Sequence, residues 1–189
     1  MFGSITEAVS RRRALIVAPL ALGGAAVVVS QIGPSKDLSE NINVTIVDFD
    51  DAGRVLAPAV RKKVARSDAN WRRQLTPAQY WSARRGSTDT PFTGTYYRME
   101  TVGLFRCVCC HNALFSSSAK FDSGTGWPSF SAPLAAENIR MQADNSLSME
   151  RIEVLCRLCD AHLGHVFDDG PLPTGFRYCI NESALRFVQ

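Results

Sequence analysis

The chain has 189 residues, 46% of them hydrophobic, enough for one domain with a real core and too few for two comfortable ones. Of its net charge of +3, Arg11, Arg12 and Arg13 against Glu7 account for two, leaving +1 for everything after residue 30. A body so close to neutral argues against nucleic-acid binding, which rests on many phosphate contacts.

"SRRRALIVAPLALGGAAVVVS" (Ser10–Ser30) places an arginine cluster before an apolar run of sixteen residues, 14–29. That is short of the ~20 residues a membrane span needs. Pro19, Gly23 and Gly24 weaken it as a core helix. Ser10 to Leu15 resembles a twin-arginine export signal, with Ala14 where an aromatic is preferred. Residues 1–30 therefore read as a twin-arginine-type signal or anchor, which predicts an exported protein: periplasmic, or membrane-anchored and facing outward. The membrane is a partner only if this leader stays uncleaved. Residues 31–42, polar with Gly and Pro, read as a linker. Residues 43–189 read as one domain.

"NVTIVDFD" (Asn43–Asp50) alternates and is β-branched, so it predicts a short strand. Ser67 can cap a helix over "DANWRRQL", and Thr76-Pro77 offers a cap and first-turn proline for "AQYWSARR". Trp71, Leu75, Tyr80 and Trp81 read as packing residues of these helices. From Gly86 onward the segments are short and broken by Gly, Pro, Ser and Asp. "TGTYYRM", "LFRCV", "IEVLC", "HVFDD", "FRYCIN" and "LRFVQ" read as strands. The pattern is a mainly β, antiparallel domain with short helices at its N-terminal side.

Six cysteines are many for this length. Cys107 and Cys110, and Cys156 and Cys159, are each separated by two residues. One tight turn can aim both sulfurs of such a pair at one ion, and two turns make a closed four-thiolate zinc site. Two redox or bridging disulfides are the competing account. A filled four-thiolate site keeps no open position, so chemistry must be sought elsewhere.

Cys109 and Cys179 remain. His162 and His165 could turn toward one pocket, and thiol plus imidazole is a nucleophile with an acid/base. Arg177 and Asn181 flank Cys179 at period two, on its strand face, and a neighbouring cation favours the thiolate. Trp127 lies in the Gly/Pro loop "SGTGWPSF". Each residue also has a bland account: capping histidines, a core tryptophan, an inert buried thiol.

Together, "LFRCVCCHNALF", "KFDSGTGWPSF", "CRLCDAHLGHVFDDGPLPTGFRYCIN" and "SALRF" closely resemble the methionine sulfoxide reductase B family. The earlier "WRRQLTPAQYWSARRGSTDTPFTGTYY" looks like that family's N-terminal part, so the resemblance runs from Asn43 to Val188. It implies two antiparallel sheets in one zinc-stabilised domain, and thiol-dependent reduction of methionine-R-sulfoxide in oxidised proteins or peptides. By position, Cys179 would be the nucleophile, passing through a sulfenic acid. His162, His165 and Asn181 would surround the sulfoxide, Trp127 would receive its methyl group, and Asp169 and Arg177 would support the site. Cys107, Cys110, Cys156 and Cys159 match the zinc ligands. Many members carry a resolving cysteine where this chain has Thr125, so the resemblance implies an external, thioredoxin-like thiol reductant. The competing non-enzyme reading is a zinc-stabilised peptide-binding or chaperone module, and a second enzyme reading is a thiol–disulfide oxidoreductase.

Overall fold

A computed structural model of the chain describes residues 42–146 and 150–189. The leader expected over 1–30, and the linker apart from its last residue, lie outside the described residues. Among the described residues no helix is long and apolar enough to cross a membrane.

Among the described residues the domain has eleven strands and two short α-helices. β1 (Asn43–Phe49) and β2 (Val55–Lys62) form a two-stranded ribbon. α1 (Asp68–Gln74) and α2 (Pro77–Arg85) follow. β3 (Leu104–Cys107), β4 (Ala113–Ser116) and β11 (Leu185–Val188) make a three-stranded sheet in the order β11-β3-β4. β5 (Lys120–Phe121), β6 (Ser129–Phe130), β7 (Ile139–Asp144), β8 (Arg151–Cys156), β9 (His162–Phe167) and β10 (Arg177–Ile180) make a six-stranded sheet in the order β5-β6-β10-β9-β8-β7. Every pairing is antiparallel. The two expected sheets are these last two, and the ribbon is additional.

Aromatic side chains join the two sheets. Phe105 of β3, Phe115 of β4 and Phe130 of β6 are fully buried. Phe130 stacks on Phe115 at 4.5 Å and meets Phe105 edge-on at 5.0 Å. Burying each ring contributes about 1.5–3 kcal/mol, and ring pairs add about 0.5–1.5 kcal/mol. Tyr178 and Ile180 of β10 point into this layer. Because a strand alternates, Arg177 and Cys179 are turned to the opposite face.

The helices form where their caps dictate. Ser67 accepts from Asn70 N–H at the start of α1, and Thr76 and Gln79 make a reciprocal capping box at the start of α2. Trp71, Leu75 and Tyr80 are buried as expected, but Trp81 is 53% exposed. It sits on the outward side of α2, edge-on to Tyr80. Both helices hold the cysteine turns: Gln74 Nε2 donates to the Cys109 carbonyl and Arg84 Nη1 to that of Cys159, each at 2.8 Å. The buried Asn138 fastens the ribbon, donating to the Val47 carbonyl and accepting from its N–H as a neighbouring strand would.

"TGTYYRM" is not a strand. Tyr96–Arg98 is one 3-10 turn, whose leading N–H groups (Thr95 and Tyr96) are taken by the Glu182 carboxylate at 2.7 Å. A partner 86 residues away decided this against β propensity.

Candidate functional site

Cys107, Cys110, Cys156 and Cys159 converge, their sulfurs all within 4.8 Å of one another. The two turns that carry them share one pattern. Cys107 N–H donates to the Asn112 carbonyl and receives His111 N–H on its own carbonyl. Cys156 makes the same pair of bonds with Ala161 and Asp160. His111 and Asp160, at φ 63° and 53°, turn the chain back through the left-handed region. In the thiol form, neighbouring sulfurs (Cys107 foremost) push Cys110 and Cys159 far above the ordinary thiol range. Four thiolates so close need a cation, and the cluster could hold a metal ion. Asn112 Nδ2 reaches Cys156 Sγ at 3.7 Å and so supports one sulfur from outside the cluster.

Cys179 lies on the other face of the large sheet. It is paired across strands with Ser129 on β6 and His165 on β9. With Thr88, Trp127, Arg151, Gly164, His165, Phe167 and Asn181 it lines a cavity of about 140 Å³. Burial pushes its thiol above the ordinary value, while the Arg177 charge and hydrogen bonding from Thr125 and Arg177 pull it back. Thr125 is held by Ser123, whose hydroxyl lies 2.8 Å from both the Thr125 and Ser129 hydroxyls.

Two histidines three apart in a regular strand face opposite ways. Here β9 carries a bulge: Gly164 pairs with Val154, but Leu155 pairs with His162, skipping Leu163. The extra residue resets the alternation and puts both rings on the Cys179 face, 5.5 Å apart. They are not equivalent. His165 lines the cavity, and its Nε2 meets Asp144 Oδ2 at 2.8 Å. Burial lowers its pKa, with Asp144 opposing. His162 does not line the cavity and is only 6% exposed. Its Nδ1 meets Glu153 Oε1 at 2.6 Å, and its buried Nε2 has no partner. Asp144 also takes Arg151 Nη2 at 2.7 Å, and Ser146, His165 and Arg151 hold it well below the usual carboxylate range.

Gly164 is required by close approach. At φ 153°, a Cβ there would lie 2.1 Å from the Cys179 carbonyl oxygen. Arg177 stands behind the thiol in a two-pronged pair with Asp169, both bonds 2.8 Å, its guanidinium 4.5 Å above the Phe167 ring. Asn181 follows β10 and turns its Oδ1 to Asp89 N–H at 2.9 Å. The Asp89 carbonyl accepts from Trp127 Nε1, also at 2.9 Å. One loop residue thus fixes both the indole and the amide beside the cavity.

Of the candidate residues, Trp127, His165, Cys179 and Asn181 meet around one cavity, Arg177 and Asp169 brace it, and His162 does not line it. Thr88, Asp89, Asp144, Arg151, Glu153 and Gly164 escaped the sequence reading. Thr88, Asp89 and Gly164 lie within the stretches that carry the family resemblance, and Glu153 is a polar position in the strand "IEVLC".

A two-sheet antiparallel domain with a four-cysteine cluster and, apart from it, a half-buried thiol paired across strands with a histidine defines a class of thiol proteins. The SelR domain model matches residues 75–189. A peptide methionine sulfoxide reductase MsrB from Hahella chejuensis is 56% identical over 125 residues, which cover 66% of this chain and 90% of that protein. The MsrB of Herminiimonas arsenicoxydans is 50% identical over 126 residues, 67% and 92% of the respective chains. A chloroplastic peptide methionine sulfoxide reductase B1 from Oryza sativa is 54% identical over 121 residues, 64% and 56%. The chain belongs to the SelR family. The match to the SelR model begins directly after α1.

Proposed function

We propose that this chain reduces methionine-R-sulfoxide in peptides and oxidised proteins, with Cys179 as nucleophile, and so serves repair. The observation that carries the reading is a thiol facing a small cavity that an indole, an imidazole and an amide also line. The Trp127 face is an apolar seat for the sulfoxide methyl. Asn181, with its Oδ1 committed to Asp89, has its amide nitrogen left for the sulfoxide oxygen. His165, with Nε2–H donated to the Asp144 carboxylate, keeps Nδ1 to take the thiol proton and hand it to that oxygen. The Cys179 sulfur then attacks, the S–O bond of the substrate breaks, and the oxygen leaves with its proton on Cys179. Methionine sulfur gains two electrons, and the thiol becomes a sulfenic acid. Fixing methyl and oxygen on different side chains admits one epimer.

The four-cysteine cluster suits zinc. A tetrahedral ion with bonds of ~2.3 Å spaces its sulfurs ~3.8 Å apart, and Cys107–Cys159 and Cys110–Cys156 each stand 3.6 Å apart. Bound there, zinc would tie the β3–β4 turn to the β8–β9 turn and take no part in the reaction.

Thr125 holds no thiol, and Cys109 is buried in the cysteine turn beneath Gln74. An external thiol, of thioredoxin type, therefore reduces Cys179 directly. The arginine-led leader makes the protein an exported one, folded around its metal in the reducing cytosol before it crosses. Replacing Arg11 and Arg12 with lysine should block export, and normal export of that variant would point to another route.

The deciding experiment supplies separate R- and S-sulfoxide peptides with a dithiol donor. R-specific turnover that vanishes in a folded Cys179→Ser variant is expected. Equal rates on both epimers would refute the reading, and activity retained without Cys179 would favour a different nucleophile. Loss of Cys179 with function intact would instead mark a peptide-binding module.

A further inference from the structure

A second cavity, of about 310 Å³, adjoins the one that holds Cys179. Three separate chain segments pass from one to the other in a single residue. Thr88 lines the first and Asp89 the second; Asn181 lines the first and Glu182 the second; Trp127 lines both. The partition is stiff, because Asp89 binds Asn181 through its N–H and Trp127 through its carbonyl. Adjacent α-carbons are ~3.8 Å apart, and an extended peptide advances ~3.3–3.6 Å per residue. A peptide with its oxidised methionine in the first cavity thus brings the neighbouring residue to the second.

The charge of the second cavity is one-sided. Its only ionisable lining residues are Asp89 and Glu182. Asp89 Oδ2 accepts from Ser183 N–H, and Glu182 accepts from the N–H groups of Thr95 and Tyr96 and from the Thr95 hydroxyl. All of these donors are neutral, so no cation of the lining pairs with either carboxylate. The rest of the lining is small or uncharged: Thr90, Thr93, Gly94 and Pro128 among it.

We propose that this cavity is a substrate subsite that receives the residue beside the methionine sulfoxide, and that it selects a cationic side chain (lysine or arginine) and repels an acidic one. The proposal rests on the reductase reading for the identity of the peptide, while the cavity itself is additional to it.

The test compares capped pentapeptides in which methionine-R-sulfoxide is flanked on both sides by lysine, alanine or glutamate. At low salt kcat/KM should fall in that order, with about tenfold between lysine and glutamate. Exposed ion pairs have this modest size, and two carboxylates act together. The difference should lie mainly in KM and shrink to about twofold at 0.5 M salt, where the screening length is a few ångström. Thr90→Lys, on the exposed rim, should reverse the order, and Glu182→Gln should flatten it. Lysine and glutamate peptides within twofold at low salt, or an order unchanged in Thr90→Lys, would overturn the proposal. Should no peptide be reduced, the reductase reading fails, and calorimetry of the same peptides on the Cys179→Ser protein still decides the subsite: tighter binding of the lysine peptide upholds it, and equal binding removes it.

Discussion

Gly164→Ala tests whether the bulge beside the nucleophile does what its geometry says. The added methyl would stand 2.1 Å from the Cys179 carbonyl oxygen, 3.0 Å from Ile180 Cα and 3.1 Å from the Cys179 carbonyl carbon, where ordinary contact begins at 3.4 Å. All three are backbone atoms, so no side chain can swing aside. β10 must withdraw by about 1 Å, and a displacement of that size at a reacting group costs about 10²-fold in rate. Overpacking adds about 1–3 kcal/mol of destabilisation, and the φ of 153° costs a non-glycine residue about 1–3 kcal/mol more. Together they should lower the melting temperature by about 5–15 °C. The assay is kcat/KM on an R-sulfoxide peptide, with thermal melting on the same preparation. Gly175→Ala is the control, since Gly175 also has positive φ but nothing within 4 Å of the new methyl. It should lose about 1–2 kcal/mol of stability and keep its activity within about twofold. If Gly164→Ala matches that control in both measurements, the close approach does not position Cys179.

The cysteine cluster should carry about one zinc per chain. Cys107→Ser or Cys156→Ser should strip it and lower the melting temperature, because metal binding is coupled to folding; metal analysis with an unchanged melt would contradict this. Arg177→Met removes the cation that opposes the burial of Cys179. The thiolate is the reactive form and grows with pH, so the rising limb of iodoacetamide alkylation against pH should move to higher pH, and no movement would show that Arg177 does not tune the thiol. Thr125→Cys should place a thiol near Cys179, whose thiol Thr125 influences. Substrate oxidation of that variant should give a disulfide between the introduced thiol and Cys179 by mass spectrometry, a bridge of the kind the parent chain should not form with Cys109.

The spacing of paired cysteines, the capping residues Ser67 and Thr76, and the alternation through "FRYCIN" were legible because each rests on neighbours in the chain. One turn brings two thiols together, one hydroxyl reaches the third N–H of a helix, and a strand turns every second residue to one side. β2 and β7 passed unread. Pro58 interrupts the first, and the second is a half-polar edge strand paired only with β8.

What the sequence determined by itself is the set of groups: four thiols for a metal, a fifth beside an arginine, two histidines, and an indole in a tight loop. What the tertiary structure alone decided is which of them meet. The bulge at Leu163 brings both histidines to one face, yet His162, bonded to Glu153, does not line the cavity and His165, bonded to Asp144, does. Asp89, from the loop after α2, locks Trp127 to Asn181 between the two cavities. These partners lie 9, 21, 38 and 92 residues apart along the chain. Hydrogen-bonding side chains carry no mark of a distant partner in their local pattern, and only the packing of the sheets selects it.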